Sequence, residues 1–89
     1  MEIDYPHPKR EATLAERGLD MARAAEIFDG ATLTVVDDRK DYGETRQITI
    51  GFLDERMVVM VWTQRGETRR IISLRKANER EQTAYASRF

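Results

Sequence analysis

The longest apolar run in the chain is Met57-Val58-Val59-Met60-Val61-Trp62, at residues 57–62. Three of its members are valines, whose β-branched side chains favour a strand over a helix. Because no polar residue interrupts the run, we expect both faces of this strand to be covered, as happens in the centre of a sheet. Polar turn residues precede it at 54–56 and follow it at 64–67. The run therefore predicts a central strand with a hairpin partner on each side.

Three further segments have the composition or the two-residue period of strands. Apolar and polar residues alternate over residues 46–52, which predicts a half-buried strand. Residues 32–36 are rich in Thr and Val, and residues 69–75 contain three large apolar side chains, so both also predict strands. Short links between neighbouring segments favour antiparallel pairing, because a parallel pair needs a crossover.

Cap signals predict three helices. The first covers residues 8–17, with Pro8 in the first turn and Gly18 just past the end. The second begins at the N-cap Asp20 and closes at residues 29–30. The third covers residues 78–88, where Asn78 and the Glu three positions later form a capping box. The sequence thus predicts an α+β fold with two N-terminal helices, a four-stranded antiparallel sheet and a C-terminal helix.

The length and composition narrow the functional classes. With 89 residues, we expect one domain over 1–89, too small for a separate cofactor-binding half. The absence of Cys excludes disulfides, thiolate metal sites and a cysteine nucleophile. The N-terminal residues are too polar for a signal peptide, and no apolar run approaches the roughly 20 residues of a membrane span. A cytoplasmic protein without a membrane partner is therefore expected.

The charges are unevenly distributed, although the net charge is only −1. Residues 1–44 carry 6 Lys and Arg against 11 Asp and Glu, whereas residues 45–89 carry 9 against 5. Such asymmetry indicates an anionic partner for the C-terminal half. A solvated, charge-rich surface is the simpler alternative.

Several common catalytic motifs are absent from the chain. The five glycines are dispersed, so no phosphate-binding loop is present. The only histidine, His7, lies in an N-terminal segment that we expect to be mobile, which argues against a catalytic role. Asp37, Asp38 and Asp41 lack the spacing of a calcium loop and are expected in a solvated loop. We therefore expect neither a cofactor nor a metal site.

The segment from Arg69 to Lys76 concentrates positive charge. On a regular strand, Arg70, Ile72 and Leu74 would share one face, and Arg69, Ile71, Ser73 and Arg75 the other. Each face would then carry arginine beside apolar residues. Forked guanidinium contacts suit RNA phosphates. Alternatively, the long side-chain stems simply cover the edge of a thin core.

Longer stretches of the sequence resemble a known family. They are residues 17–20, 24–29, 42–46 and 57–66 and, as the longest ordered block, residues 70–81, with Tyr85 trailing. Over about residues 5–85, the chain resembles the BrnT family, small bacterial toxins that are the ribonuclease halves of type II toxin–antitoxin pairs. It departs from the family pattern at Pro6, where Asp is usual, and at Arg17, where many members have His.

The resemblance implies a RelE-like fold and a metal-independent endoribonuclease that inhibits translation and growth. It also implies neutralisation by a BrnA-like ribbon-helix-helix antitoxin, in a 2:2 complex that binds operator DNA only through the antitoxin. The alternatives are a catalytically inactive relative and a nucleic-acid-binding module without chemistry.

A metal-free ribonuclease must activate the ribose 2′-OH and neutralise charge at the phosphate. For this chemistry we expect Glu44 as the base, Arg46, Arg70 and Arg75 as phosphate clamps, and Lys76 as a source of charge or a proton shuttle. Further RNA contacts are expected from Arg69, Arg80 and Tyr85.

Overall fold

The computed structural model describes all residues, Met1–Phe89, as three α-helices and one five-stranded sheet. The strands are β1 (Glu2–Asp4), β2 (Leu33–Asp37), β3 (Arg46–Leu53), β4 (Arg56–Arg65) and β5 (Thr68–Lys76). The helices are α1 (His7–Arg17), α2 (Ala24–Asp29) and α3 (Glu79–Ala86), and a 3-10 turn, Met21–Arg23, precedes α2. The strand order β1-β5-β4-β3-β2 places β4 at the centre, as its apolar run predicts. No helix is long and apolar enough to cross a membrane.

The prediction of a four-stranded, purely antiparallel sheet is wrong in one respect. β1 adds a fifth strand at the edge, parallel to β5, with Glu2 opposite Thr68 and Asp4 opposite Arg70. The crossover that this parallel pair requires is the whole chain between the two strands. Three residues with a single apolar side chain, Ile3, show no measurable period. Pairing with the free edge of β5 therefore orders the N-terminal segment, including His7 at the start of α1. This corrects the expectation that the segment is mobile.

Residues of β4 alternate between two differently covered faces of the sheet. Val58, Met60 and Trp62 pack with the residues of the helical region on one face, here called the core face. Its helical members are Leu19, Met21, Ala24 and Ile27. On the other face, here called the cleft face, Met57 and Val59 pack with Ile50, Ala77, Ile48 and Tyr85. The helix α3 contributes no buried residue, so the cleft face is only partly covered.

A bulge in β5 corrects the predicted facing of its side chains. Val61 is opposite Ser73, but Trp62 is opposite Ile71, so the pairing skips Ile72. The alternation shifts by one position at this point. Ile71 and Leu74, predicted on opposite faces, consequently both lie in the core-face cluster.

The predicted helix signals are largely confirmed. Gly18 ends α1 with a left-handed φ of 68°, and Asn78 and Glu81 form both hydrogen bonds of a capping box at the start of α3. The Asp20 side chain accepts a hydrogen bond from the backbone N–H of Ala22, but the first turn it caps is a 3-10 turn rather than α-helix. The C-terminal helix ends at Ala86, two residues before the predicted end.

Gly51 marks the closest approach of α2 to the sheet. A Cβ atom at this position would lie 2.7 Å from Cγ2 of Ile27 and 3.3 Å from Cγ2 of Thr32. Ile27 is fully buried in the core-face cluster, so its branched methyl group has no free space to move into. Glycine at position 51 is therefore required for α2 to pack this closely against β3.

We predict that Gly51→Ala destabilises the fold by about 1–3 kcal/mol, because the added methyl group overpacks the contact with Ile27. Gly30→Ala is the matched control, since its Cβ atom would have no neighbour closer than 3.8 Å. Urea unfolding at neutral pH measures both variants. Equal stability of the two would show that α2 moves to accept the methyl group.

Candidate functional site

A row of polar residues crosses one end of the sheet on the cleft face. In register, Asp4 is opposite Arg70, Arg70 opposite Thr63, Thr63 opposite Arg46, and Arg46 opposite Asp37. Directly opposed residues share a face, so the row places Arg46 and Arg70 on either side of a buried threonine. Two strand spacings separate them, which is about 10 Å between backbones. That separation lets both side chains converge on one phosphodiester group.

Arg46 is held in the row but is not saturated with hydrogen bonds. Its Nε atom lies 3.5 Å from Oε2 of Glu44, and its guanidinium carbon lies 4.1 Å from the centre of the Tyr42 ring. This Nε is the only buried side-chain nitrogen or oxygen atom that has no hydrogen-bond partner. A buried, unpaired donor is energetically costly. An incoming oxygen atom that accepts from it would remove the cost.

The loop between β2 and β3 is anchored by a buried carboxylate. Asp37 accepts hydrogen bonds from Nε of Arg39 at 2.7 Å, from Nη2 of Arg39 at 2.8 Å and from the Tyr42 hydroxyl at 3.2 Å. These bonds, those from Arg39 foremost, lower the pKa of Asp37 to about 2. The prediction of a solvated acidic loop is therefore wrong for Asp37, because the loop folds back and buries this residue. In this position it fixes the ring on which Arg46 stacks.

A cleft of about 210 Å³ lies next to the row on the cleft face. Its floor is apolar and is formed by residues of β3 and β4: Ile48, Ile50, Val59 and Val61. Ser73, Arg75 and Arg39 line it from β5 and from the β2–β3 loop, and Glu81 and Tyr85 line it from α3. The cleft thus combines apolar surface for a base or ribose with guanidinium groups for a phosphate.

Arg75 is held beside the cleft by Glu81. Nη1 and Nη2 of Arg75 donate to the two carboxylate oxygens of Glu81, each at 2.7 Å. This pairing raises the pKa of Arg75 and lowers the pKa of Glu81 to about 2. The same carboxylate caps α3, so one ion pair connects the orientation of α3 to the position of the guanidinium group.

We predict that Glu81→Gln lowers the free energy of unfolding at pH 7 by up to about 1 kcal/mol, since Gln keeps the capping box but loses the charge pair. The pKa of Glu81 is lower in the folded chain than its ordinary value of 4.5. Its charge therefore stabilises the fold above about pH 4.5, and this contribution is lost as the pH falls toward 2. Urea unfolding at pH 7 and pH 2.5 measures the difference. A gap between the two proteins that is as large at pH 2.5 as at pH 7 would contradict the prediction.

The structure brings together only part of the predicted site. Glu44, Arg46 and Arg70 lie at the row, where Arg70 is ion-paired with Asp4 and Glu44 also reaches Arg65 at 3.4 Å. Arg75 and Tyr85 line the cleft.

The other predicted residues lie apart from this group. Lys76 is opposite Val58 and so is in phase with the core face, where it is exposed at the end of β5. Arg80 is exposed on the first turn of α3.

Arg69 lies on the core face, away from the other predicted RNA contacts. Its guanidinium carbon lies 4.4 Å from the centre of the Phe28 ring and 4.7 Å from that of Trp62. The two rings meet edge to face at 5.3 Å. The bulge at Ile72 sets this orientation, because without it the two neighbours Arg69 and Arg70 would exchange faces.

We predict that Arg69→Ala destabilises the fold by about 1–2 kcal/mol through loss of the two cation–π contacts, and leaves RNA affinity unchanged at equal folded concentration. Thermal unfolding and filter binding of a labelled RNA measure the two effects. A large loss of RNA affinity in a fully folded variant would show that Arg69 belongs to the RNA-binding surface.

Sequence reasoning missed Arg39, Tyr42 and Lys9. Arg39 and Tyr42 belong to a loop whose polar composition resembles any solvated turn, and no periodicity marks them. Partial burial lowers the pKa of Lys9, and the positive charges of Arg46 and Arg17 lower it further. The coupling to Arg46 on β3 is a tertiary effect with no counterpart in the local sequence.

Known proteins give an independent view of these residues. The sequence model of the family described as ribonuclease toxin, BrnT, of type II toxin–antitoxin systems matches residues 5–81. The chain belongs to the BrnT family. No curated protein matches it at a significant level. The BrnT match includes Lys9, Glu44, Arg46, Arg70 and Arg75.

Membership of a family of type II toxins implies an antitoxin as partner, and the family activity is that of a ribonuclease. The structure also gives a role to Arg17. Its Nη1 donates to the backbone carbonyl of Leu74 at 2.9 Å, which fastens α1 to β5.

Proposed function

We propose that this chain is an active endoribonuclease that cleaves RNA without a metal ion on the cleft face of its sheet, within a RelE-like fold. The observation that carries the proposal is the pair of guanidinium groups of Arg46 and Arg70 in one cross-strand row, in which the Nε–H of Arg46 makes no hydrogen bond. Such a pair fits a phosphodiester group that gains negative charge in the transition state.

The ion pairs around these arginines support the proposal because they fix the cations in place. Each guanidinium group has five N–H donors, and a carboxylate occupies at most two or three of them. Arg75 is fixed by Glu81, Arg70 by Asp4 and Arg39 by Asp37. Donors that are already oriented stabilise a transition state without the cost of rearrangement.

The proposed reaction is attack of the ribose 2′-oxygen on the adjacent phosphorus atom. Glu44, next to Arg46, accepts the proton from the 2′-OH. Arg46 and Arg70 donate to the non-bridging oxygens, and Arg75 contacts a neighbouring phosphate from the cleft. Tyr85 offers its ring to a base above the apolar floor. The products are a 2′,3′-cyclic phosphate and a free 5′-hydroxyl end.

Lys76 and Arg80 lie outside this centre, and we propose that they contact the RNA backbone at its periphery. Both are exposed near the start of α3, where they attract phosphate without orienting it. Their loss should weaken RNA binding and leave the chemical step nearly intact. We therefore propose Lys76 as a binding residue rather than a proton carrier.

We predict that Arg46→Ala and Arg70→Ala each lower the cleavage rate about 10²–10³-fold, as expected for loss of one oriented donor. Lys76→Ala should instead raise the RNA concentration needed for half-maximal rate. The measurement is cleavage of a defined RNA by purified chain, free of antitoxin, in excess EDTA. Arg56→Ala is the matched control, because Arg56 is exposed at the opposite end of β4.

The outcomes separate the proposal from its alternatives. Folded wild-type chain that leaves RNA intact under all conditions would make this chain an inactive member of the family. Tight, salt-sensitive binding without a product would make it a nucleic-acid-binding module. Cleavage that disappears in EDTA and returns with a divalent cation would overturn metal independence.

For the partner, we propose a BrnA-like antitoxin with a ribbon-helix-helix DNA-binding part, in a 2:2 complex formed through antitoxin dimerisation. Support comes from the family, whose members are toxins of two-component systems. Operator DNA would then be bound through the antitoxin. An adjacent reading frame that encodes a ribbon-helix-helix protein would support this assignment.

A further inference from the structure

The helix α1 presents one face to the sheet, and this face begins with Lys9. Lys9, Thr13 and Arg17 are spaced four residues apart and so lie on the same side of the helix. Thr13 is the only buried residue of α1, and Arg17 donates to the carbonyl of Leu74 on β5. Lys9 is therefore on the side of α1 that lies against β5, at an exposed position before the buried Thr13.

The position of Lys9 along β5 follows from the direction of α1. β1 runs parallel to β5, with Asp4 opposite Arg70, and α1 begins three residues later. It then runs toward Leu74, where Arg17 is attached. Lys9 lies eight residues before Arg17, which is about 12 Å along a helix and about four residues along a strand. This places Lys9 at the level of Arg70, which is the level of the cross-strand row.

The charges at that level agree with this placement. Lys9 has the positive charges of Arg46 on β3 and Arg17 on its own helix close enough to lower its pKa, in addition to the larger effect of partial burial. Arg70 of β5 and Asp4 of β1 stand at the same level but are paired with each other. An ammonium group among cations releases its proton more readily than an isolated one.

We propose that Lys9 is the general acid of the cleavage reaction and protonates the 5′-oxygen as it leaves phosphorus. This inference rests on the proposed function of the cleft face. Glu44 takes the proton of the 2′-OH, the O2′–P bond forms, the P–O5′ bond breaks, and Nζ of Lys9 supplies the proton that makes the 5′-hydroxyl. Glu44 then releases its proton to the solvent and Lys9 takes one up, which restores both groups. Arg46 lies next to Glu44, so one phosphate on Arg46 would face both the acceptor and the donor.

The test uses one oligoribonucleotide with a single site mapped with the wild type. It is made in two forms, with the natural 5′-bridging oxygen or with sulfur at that atom. A thiolate leaves without a proton, so the sulfur form needs no acid. We expect Lys9→Ala to lower the rate on the oxygen form about 10²-fold or more and on the sulfur form less than about tenfold. Lys9→Arg should behave like Lys9→Ala on the oxygen form, since a guanidinium group keeps its proton.

The control is Glu11→Gln, on another side of the same helix, which should match the wild type on both forms. Thermal unfolding confirms that each variant is folded. Equal losses on the two forms, or full rescue by Lys9→Arg, would show that Lys9 acts through its charge or its packing and would overturn the acid assignment. If the wild type cleaves neither form, the proposed function itself fails, and this result is distinct from the other two.

Discussion

Burial of β4 on both faces is the constraint on which the rest of the structure depends. An apolar strand at the centre of a sheet requires a neighbour on each side and a cover on each face. β3 and β5 pair with it, and the helical region from Leu19 to Ile27 covers the core face. This cover lies so close to β3 that position 51 has room only for glycine. The cleft face is only partly covered, because α3 contributes no buried residue. Its apolar floor therefore remains open, and an open apolar floor between charged strands is the basis of the proposed site.

The polar chemistry follows from where the central strand ends. On the cleft face, the residues paired between β3 and the middle of β4 are apolar. Beyond the apolar part of β4, the paired residues are Arg46, Thr63 and Arg70 of the cross-strand row. Ion pairs with neighbouring carboxylates hold these cations in place and reduce the electrostatic repulsion between them. A chain with a net charge of −1 thereby concentrates guanidinium groups on one face, which the total charge alone would not indicate. The cationic surroundings of Lys9 arise in the same way, because α1 is attached along β5 by Arg17.

The predictability of the site differs from one residue to another for physical reasons. The arginine-rich segment could be identified because its composition is local, and Arg46 and Arg70 do lie in one row. The face to which each residue belongs could not be read reliably, since one bulged residue, Ile72, reverses the alternation without a compositional signal. Regular alternation puts Arg69 on the same face as Arg75, whereas the bulge puts Arg70 and Arg75 on one face and Arg69 on the other. Lys9 was missed because its environment depends on packing between segments far apart in the chain.

The order of helices and strands, their approximate bounds and the central position of residues 57–62 could all be derived from the amino-acid sequence, because periodicity, caps and turns are properties of neighbouring residues. The family could be recognised from ordered stretches of the same kind. The fifth strand, the bulge, the burial of Asp37 and the gathering of Lys9, Arg46 and Arg70 arise only when distant segments pack together. These features depend on which edges and faces are left free after the central sheet has formed, and no local pattern records that outcome.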